Sequence, residues 1–260
     1  MAKETYIQNH FTYNEFINYV AVTPRLEGNG KESEESGSGF SGTESFEEAL
    51  KFANEGWIEG IKKIKKLQNL ASKGQAVEQV EIMNVCGAYV DVATYLSGVP
   101  DCFVDYETVE ATKFIKLYID MSASGSVEVE QFLNYSNAIV SIIDKLESEG
   151  YRVELNTYTA VHLSKSDTNV LTTIRVKNYS ESVNINTIAF AFHPSFLRRL
   201  WFKWQETTNV WQSGYGRVLK TLEGFDIPSD AVVMPRLMEN YDKRTDVILK
   251  EFIKKIEGAN

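Results

Sequence analysis

The 260-residue sequence predicts an α/β fold, a mostly parallel sheet with flanking helices, preceded by a helical amino-terminal region. Three adjoining stretches carry that reading. Phe114 to Ile119 is an apolar run closed by Asp120, as expected of a buried strand. Val129, Phe132, Leu133, Ser136, Ile139, Val140, Ile143 and Leu146 then recur every three or four residues, which gives a helix one buried face, and Gly150 stops it. Tyr151 to Tyr158 alternates like a second strand. Strand, helix, strand is the connection that parallel neighbours require.

From the amino terminus, Tyr6 to Val22 mixes helical and strand spacing and reads as a short helix. Residues 27–42 are mostly Gly, Ser and Glu without aliphatic side chains, too little apolar surface to offset ordering entropy, so they read as a flexible acidic loop. Ser45-Phe-Glu-Glu48 has capping-box spacing and starts a helix with Phe46, Ala49, Leu50 and Ala53 on one face, interrupted at Gly56. A second run, Ile58, Ile61, Ile64 and Leu67, carries Lys62, Lys63, Lys65 and Lys66 opposite; such lysines solvate an amphipathic helix or contact phosphate. Residues 1–76 thus form the helical amino-terminal region and 77–260 the α/β domain. Asn169 to Lys177 is a Thr- and Val-rich strand, expected at the antiparallel edge after a turn at Asp167. Ile185 to Phe192 is a buried helical run, and His193-Pro194 bends the chain. Ala231 to Met234 is a short strand broken by Pro235, and Thr245 to Ile256 is a closing amphipathic helix.

A net charge of -9 excludes a uniformly basic nucleic-acid binder. Cys86 and Cys102 have neither zinc-ligand spacing nor the density of a disulfide framework, which points to a reducing compartment. No apolar run reaches membrane-spanning length and the first residues lack a signal-peptide core, so a cytoplasmic protein without membrane contact is expected. There is no Gly-x-Ser-x-Gly elbow, phosphate-binding loop or dinucleotide fingerprint, and His10, His162 and His193 share no motif with a nucleophile. The expectation is a binding protein that is not an enzyme.

Asp120, Ser122 and Ser124 spell Asp-x-Ser-x-Ser at the carboxyl end of the first strand. A carboxylate and two hydroxyls are hard oxygen ligands suited to Mg²⁺; Ser-rich stretches of this kind also cap helices without binding metal. The pattern resembles the metal-ion-dependent adhesion site of von Willebrand factor A domains. That resemblance implies a von Willebrand A-like, Rossmann-like domain over 77–260. It also implies a Mg²⁺ cofactor, Thr187 as a further ligand, a later Asp such as Asp226 or Asp230, and a protein partner whose carboxylate completes the shell.

Phe40-Ser-Gly-Thr, Ser45-Phe-Glu-Glu-Ala-Leu, Gly87-Ala-Tyr-Val-Asp-Val, Leu96-Ser-Gly-Val-Pro, Leu146-Glu-Ser-Glu-Gly-Tyr-Arg-Val-Glu and His193-Pro-Ser-Phe-Leu-Arg-Arg-Leu together resemble a family of uncharacterised bacteriophage proteins, a domain of unknown function. That resemblance spans about residues 40–216 and implies a phage source and a host-cell cytoplasmic location, without setting an activity. In general character the chain is also similar to the single-stranded-DNA-binding transcription activator of N4-like phages.

In Arg198, Arg199, Trp201, Lys203, Trp204, Trp211, Tyr215, Arg217 and Lys220, aromatic and basic residues interleave, and Glu206 alone opposes them. Stacking faces and backbone-tracking cations are what single-stranded nucleic acid needs. The alternative is that the rings pack this segment onto the sheet while the arginines pair with carboxylates. Two functions follow: a single-stranded nucleic-acid-binding replication or transcription cofactor, or a metal-dependent protein-interaction module. Expected protein partners are a phage polymerase or a host factor, including a defence system.

Overall fold

The computed structural model describes residues 5–58, 77–110 and 113–258. The Lys62, Lys63, Lys65 and Lys66 run lies outside them. The main sheet has six strands: β1 (Thr5–Thr12), β5 (Lys113–Asp120), β6 (Tyr151–Leu163), β7 (Thr168–Lys177), β8 (Arg217–Val218) and β9 (Ala231–Val233). Their order is β1-β7-β6-β5-β9, with β8 on β6. The pairs β1/β7, β5/β6 and β5/β9 are parallel, whereas β6/β7 and β6/β8 are antiparallel. The α/β class and the mostly parallel sheet are as the sequence predicts. The long helix α6 (Val129–Ser148) makes the right length of crossover between β5 and β6.

Two expectations change. The amino-terminal residues are not a separate helical region: β1 is an edge strand of the sheet, and it displaces β7 from the edge to an interior position. The helix read over 6–22 begins only at Tyr13, where the Thr12 side chain accepts the Glu15 N–H and the Glu15 carboxylate accepts the Thr12 N–H. This helix, α1 (Tyr13–Val22), and α4 (Phe46–Glu55) bury Phe16, Ile17, Val20 and Ala49 in the same core as the sheet. Ser45 caps α4 by accepting the Glu48 N–H, but the Glu48 carboxylate reaches Glu44 N–H in place of Ser45.

The acidic loop is the second change. It folds into two single turns, α2 (Glu32–Glu35) and α3 (Ser38–Ser41), with Ser33, Ser41 and Thr43 buried. What its own composition could not supply comes from Arg199, described below.

Residues 77–110 stand outside the main sheet. There β2 (Val77–Asn84), β3 (Tyr89–Val90) and β4 (Phe103–Glu110) form a separate antiparallel sheet, with the short helix α5 (Val92–Leu96) between β3 and β4. The α/β sheet therefore does not begin at residue 77.

Helices cover one face of the main sheet: α6, α7 (Ile185–Ala191), a π-wound turn α8 (Phe196–Trp201) that runs into α9 (Phe202–Glu206), and α11 (Thr245–Glu257). Along β6, Val153, Leu155, Val161 and Leu163 belong to this core, while Tyr158 and Ala160 face the other side. That other side is covered by the irregular segment bearing Leu219, Leu222, Phe225 and Ile227. After β9 comes the short helix α10 (Leu237–Asn240).

Candidate functional site

β6 outruns β5 at the carboxyl rim, because β5 ends at Asp120 opposite Tyr158 while β6 continues to Leu163. Above the overhang lies a pocket of about 370 Å³, within the size range of small-molecule sites. Thr159 and Val161 come from β6, Ser122 and Ala123 from the loop after β5, and Phe40 from α3. Leu197, Arg198, Trp201, Phe202 and Gln205 come from one side of α8 and α9, and Glu32 and Tyr215 close it. Open α/β sheets bind ligands at this position, beyond the carboxyl ends of their strands. The π-wound turn, a local irregularity frequent at functional sites, forms the wall.

The wall is rigid. Phe202 and Tyr215 stack with ring centroids 3.7 Å apart and planes within 6°. The Gly214-Tyr215-Gly216 turn is left-handed throughout, with φ of +78°, +59° and +91°. A Cβ at Gly216 would stand 3.0 Å from the His162 carbonyl, so glycine is required there. The Tyr215 hydroxyl lies 2.6 Å from both Glu32 Oε2 and Glu206 Oε1. One phenolic proton can serve only one carboxylate, so the second contact needs a protonated carboxyl. Burial pushes the Glu206 carboxyl above its ordinary pKa, which suits it to hold that proton.

Six of the nine predicted nucleic-acid residues, Arg198, Arg199, Trp201, Lys203, Trp204 and Tyr215, are buried. Arg198 donates to the carbonyls of Phe40, Ser124 and Val127 and lies 4.0 Å from the Phe40 ring centroid. Desolvation lowers its pKa to about 10, so it stays charged at neutral pH. Arg199 donates to the carbonyls of Ser33, Glu34, Ser36 and Thr43 and to Thr43 Oγ1. Lys203 pairs with Glu34. Trp201 and Trp204 are core residues, and Trp211 is half-buried close to Gly30. Arg217 and Lys220 are the two exposed cations of the set. These side chains fasten the acidic loop to the body of the protein instead of lining a groove. Arg198, Trp201 and Tyr215 also border the pocket.

The expected metal ligands do not converge. Asp120 Oδ1 accepts the Ser122 N–H at 2.7 Å, and Oδ2 accepts Arg236 Nε at 2.7 Å. Ser122 Oγ accepts the Ala160 N–H at 2.9 Å, and Ser124 Oγ accepts from Ser126. Thr187, at the start of α7, borders a different pocket with Thr12, Arg175 and Lys177. Asp230 pairs with Lys116, and the Asp226 backbone pairs with Gln8. A guanidinium stands beside the carboxylate where a divalent ion would sit, so the residues present do not fit Mg²⁺. Among the described residues no group of three or more His, Cys, Asp or Glu could hold a metal ion. Nor, among them, is any helix long and apolar enough to cross a membrane.

His193 is buried, its Nδ1 paired with Ser195 and its ring against Trp57 and Phe190. Sequence reasoning missed Phe40, Leu197, Phe202, Thr159, Val161, Gln205 and Glu32. They lie on separate segments with no common spacing, whereas Ser122, Arg198, Trp201 and Tyr215, which the sequence singled out for other roles, line the same pocket.

No curated protein and no solved structure matches the chain. A family model matches residues 3–260, and with the whole fold inside that span the chain belongs to DUF7192, a domain of unknown function.

Proposed function

We propose that this chain is a non-enzymatic binding protein whose ligand inserts a flat ring into the pocket between β6 and α8, the ring being a nucleobase from a free nucleotide or from an unpaired position in a single strand. The observation that carries this reading is the pocket itself, walled by Phe40, Trp201, Phe202 and Tyr215 and floored by Val161. Aromatic walls contribute about 1–3 kcal/mol per stacked base and do not depend on sequence. Glu32 offsets the charge of Arg198, whose donors are already taken by the Phe40, Ser124 and Val127 carbonyls, so the ring enters and the phosphates stay outside. There Arg217 and Lys220, exposed and close in sequence to the lining residues Gly216 and Val218, are the available cations.

Nucleoside monophosphates and short single-stranded oligonucleotides, titrated while tryptophan emission is followed, test the reading, because Trp201 lines the pocket. Single strands should bind more tightly than duplexes, whose bases are not free. Two phosphate contacts give a dependence of log K on log salt of about -1.4. Ala123→Leu, which fills the pocket, should weaken binding at least tenfold. Binding unchanged in that variant, or no binding of any nucleotide to the folded protein at low salt, rejects the proposal. Affinity for mononucleotides equal to that for oligonucleotides assigns the site to the free nucleotide.

A further inference from the structure

We propose that α5 and the turns beside it, residues 83–99, form a docking surface for a protein partner whose contact face is apolar and rimmed by Lys or Arg. The surface is remote in kind from the pocket and does not depend on what the pocket binds. Val92, Tyr95 and Leu96 stand at i, i+3 and i+4 on α5, the spacing of a helical stripe that ordinarily faces a core, and Val99 follows just past the end of the helix. Here they are 64%, 62%, 77% and 46% exposed. Met83 and Val85 extend the patch. Isolated exposed apolar residues are ordinary on a protein surface, but a contiguous stripe of large ones marks a contact site.

The stripe is held in place by the fold. Asp91 Oδ1 accepts the Thr94 N–H at 2.8 Å and caps α5. The Asp91 and Ala88 N–H groups donate to the Cys102 and Val104 carbonyls, which fixes both ends of the β3 turn on β4. A Cβ at Gly87 would stand 2.5 Å from the Val104 carbonyl, so the backbones approach as closely as they can.

Charge selects the occupant. Residues 77–110 contain seven Asp and Glu and no Lys, Arg or His. An anionic membrane surface or a nucleic acid is repelled by such a segment. A second copy docking through the same face would bring two such acidic segments together. An apolar face edged with cations satisfies both the stripe and its surroundings, and the opposite charges raise the association rate.

The test uses the full chain and a designed amphipathic helix of Leu and Lys as the probe, with its Leu and Glu counterpart as control, read by fluorescence anisotropy. The Lys peptide should bind at least ten times more tightly than the Glu peptide. Tyr95→Ser and Leu96→Ser, both at exposed positions, should each weaken it about tenfold, whereas Val247→Ser, exposed on α11, should leave it unchanged. Equal binding by the parent and the two variants would show attraction to acidic surface in general and overturn the proposal, as would no binding of either peptide. Self-association of the chain that Leu96→Ser abolishes would also overturn it, by assigning the face to a second copy.

Discussion

His193 illustrates how a single titratable residue can set the acid limit of the fold. Burial lowers its pKa from 6.5 to about 3, so between those values the unfolded chain binds a proton that the folded chain does not. The stability contributed by the neutral ring is therefore complete above about pH 6.5 and lost as the pH falls towards 3, with a limiting slope of about 1.4 kcal/mol per pH unit. Urea unfolding of His193→Asn at pH 4.5 and 7.5 should show a smaller pH difference than the parent. Glu206 works with the opposite sign. Its carboxyl is raised by burial, so what its protonated form contributes is present at low pH and lost as the pH rises through the raised value. Glu206→Gln keeps a donor towards Tyr215 at every pH, so as the pH rises from 4.5 its melting temperature should lose less than that of the parent.

At the scale of elements, the acidic loop and the π-wound turn are one construction. Residues 33–43 offer carbonyl oxygens and, apart from Phe40, no large apolar side chain, and the Arg199 guanidinium draws four of those carbonyls together from the turn beneath. Hydrogen bonds from a charged donor are worth about 1.5–3 kcal/mol each, and a lysine cannot reproduce the planar fork. Arg199→Lys should therefore lower unfolding stability by at least about 3 kcal/mol in urea and speed amide exchange across residues 33–43. Trp204→Ala leaves a large cavity in the core and should cost about 3–5 kcal/mol. A stable, folded Trp204→Ala would remove the packing role assigned to that ring.

At the scale of the molecule, stability is unevenly distributed. β6 and β7 are long, interior and buried on both faces, whereas β2, β3 and β4 form a three-stranded sheet whose α5 buries no side chain. Native-state hydrogen exchange should find β6 and β7 exchanging only through global unfolding and residues 82–105 through a cheaper local opening. Equal protection in the two sheets would show that they unfold as one unit.

Local pattern was enough to locate β5, α6, β6, β7, α7, β9 and α11, because strand and helix periodicity write the buried face directly into the residue order. The capping residues Ser45 and Asp167's turn were equally legible, the latter adopting φ +49°. The sequence also placed Asp120, Ser122 and Ser124 together at a strand end, since neighbours in sequence are neighbours in space. What it could not decide was which distant group meets them. Arg236, 116 residues away, neutralises Asp120, and Thr187 goes elsewhere because α7 packs at a different part of the sheet. For the same reason an interleaved Arg and Trp segment reads alike whether it faces solvent or core. Only the tertiary structure brings a carbonyl-rich loop over Arg198 and Arg199, and only it assembles a pocket from Glu32, Phe40, Thr159, Gln205 and Tyr215, whose proximity depends on long-range packing that no local spacing encodes.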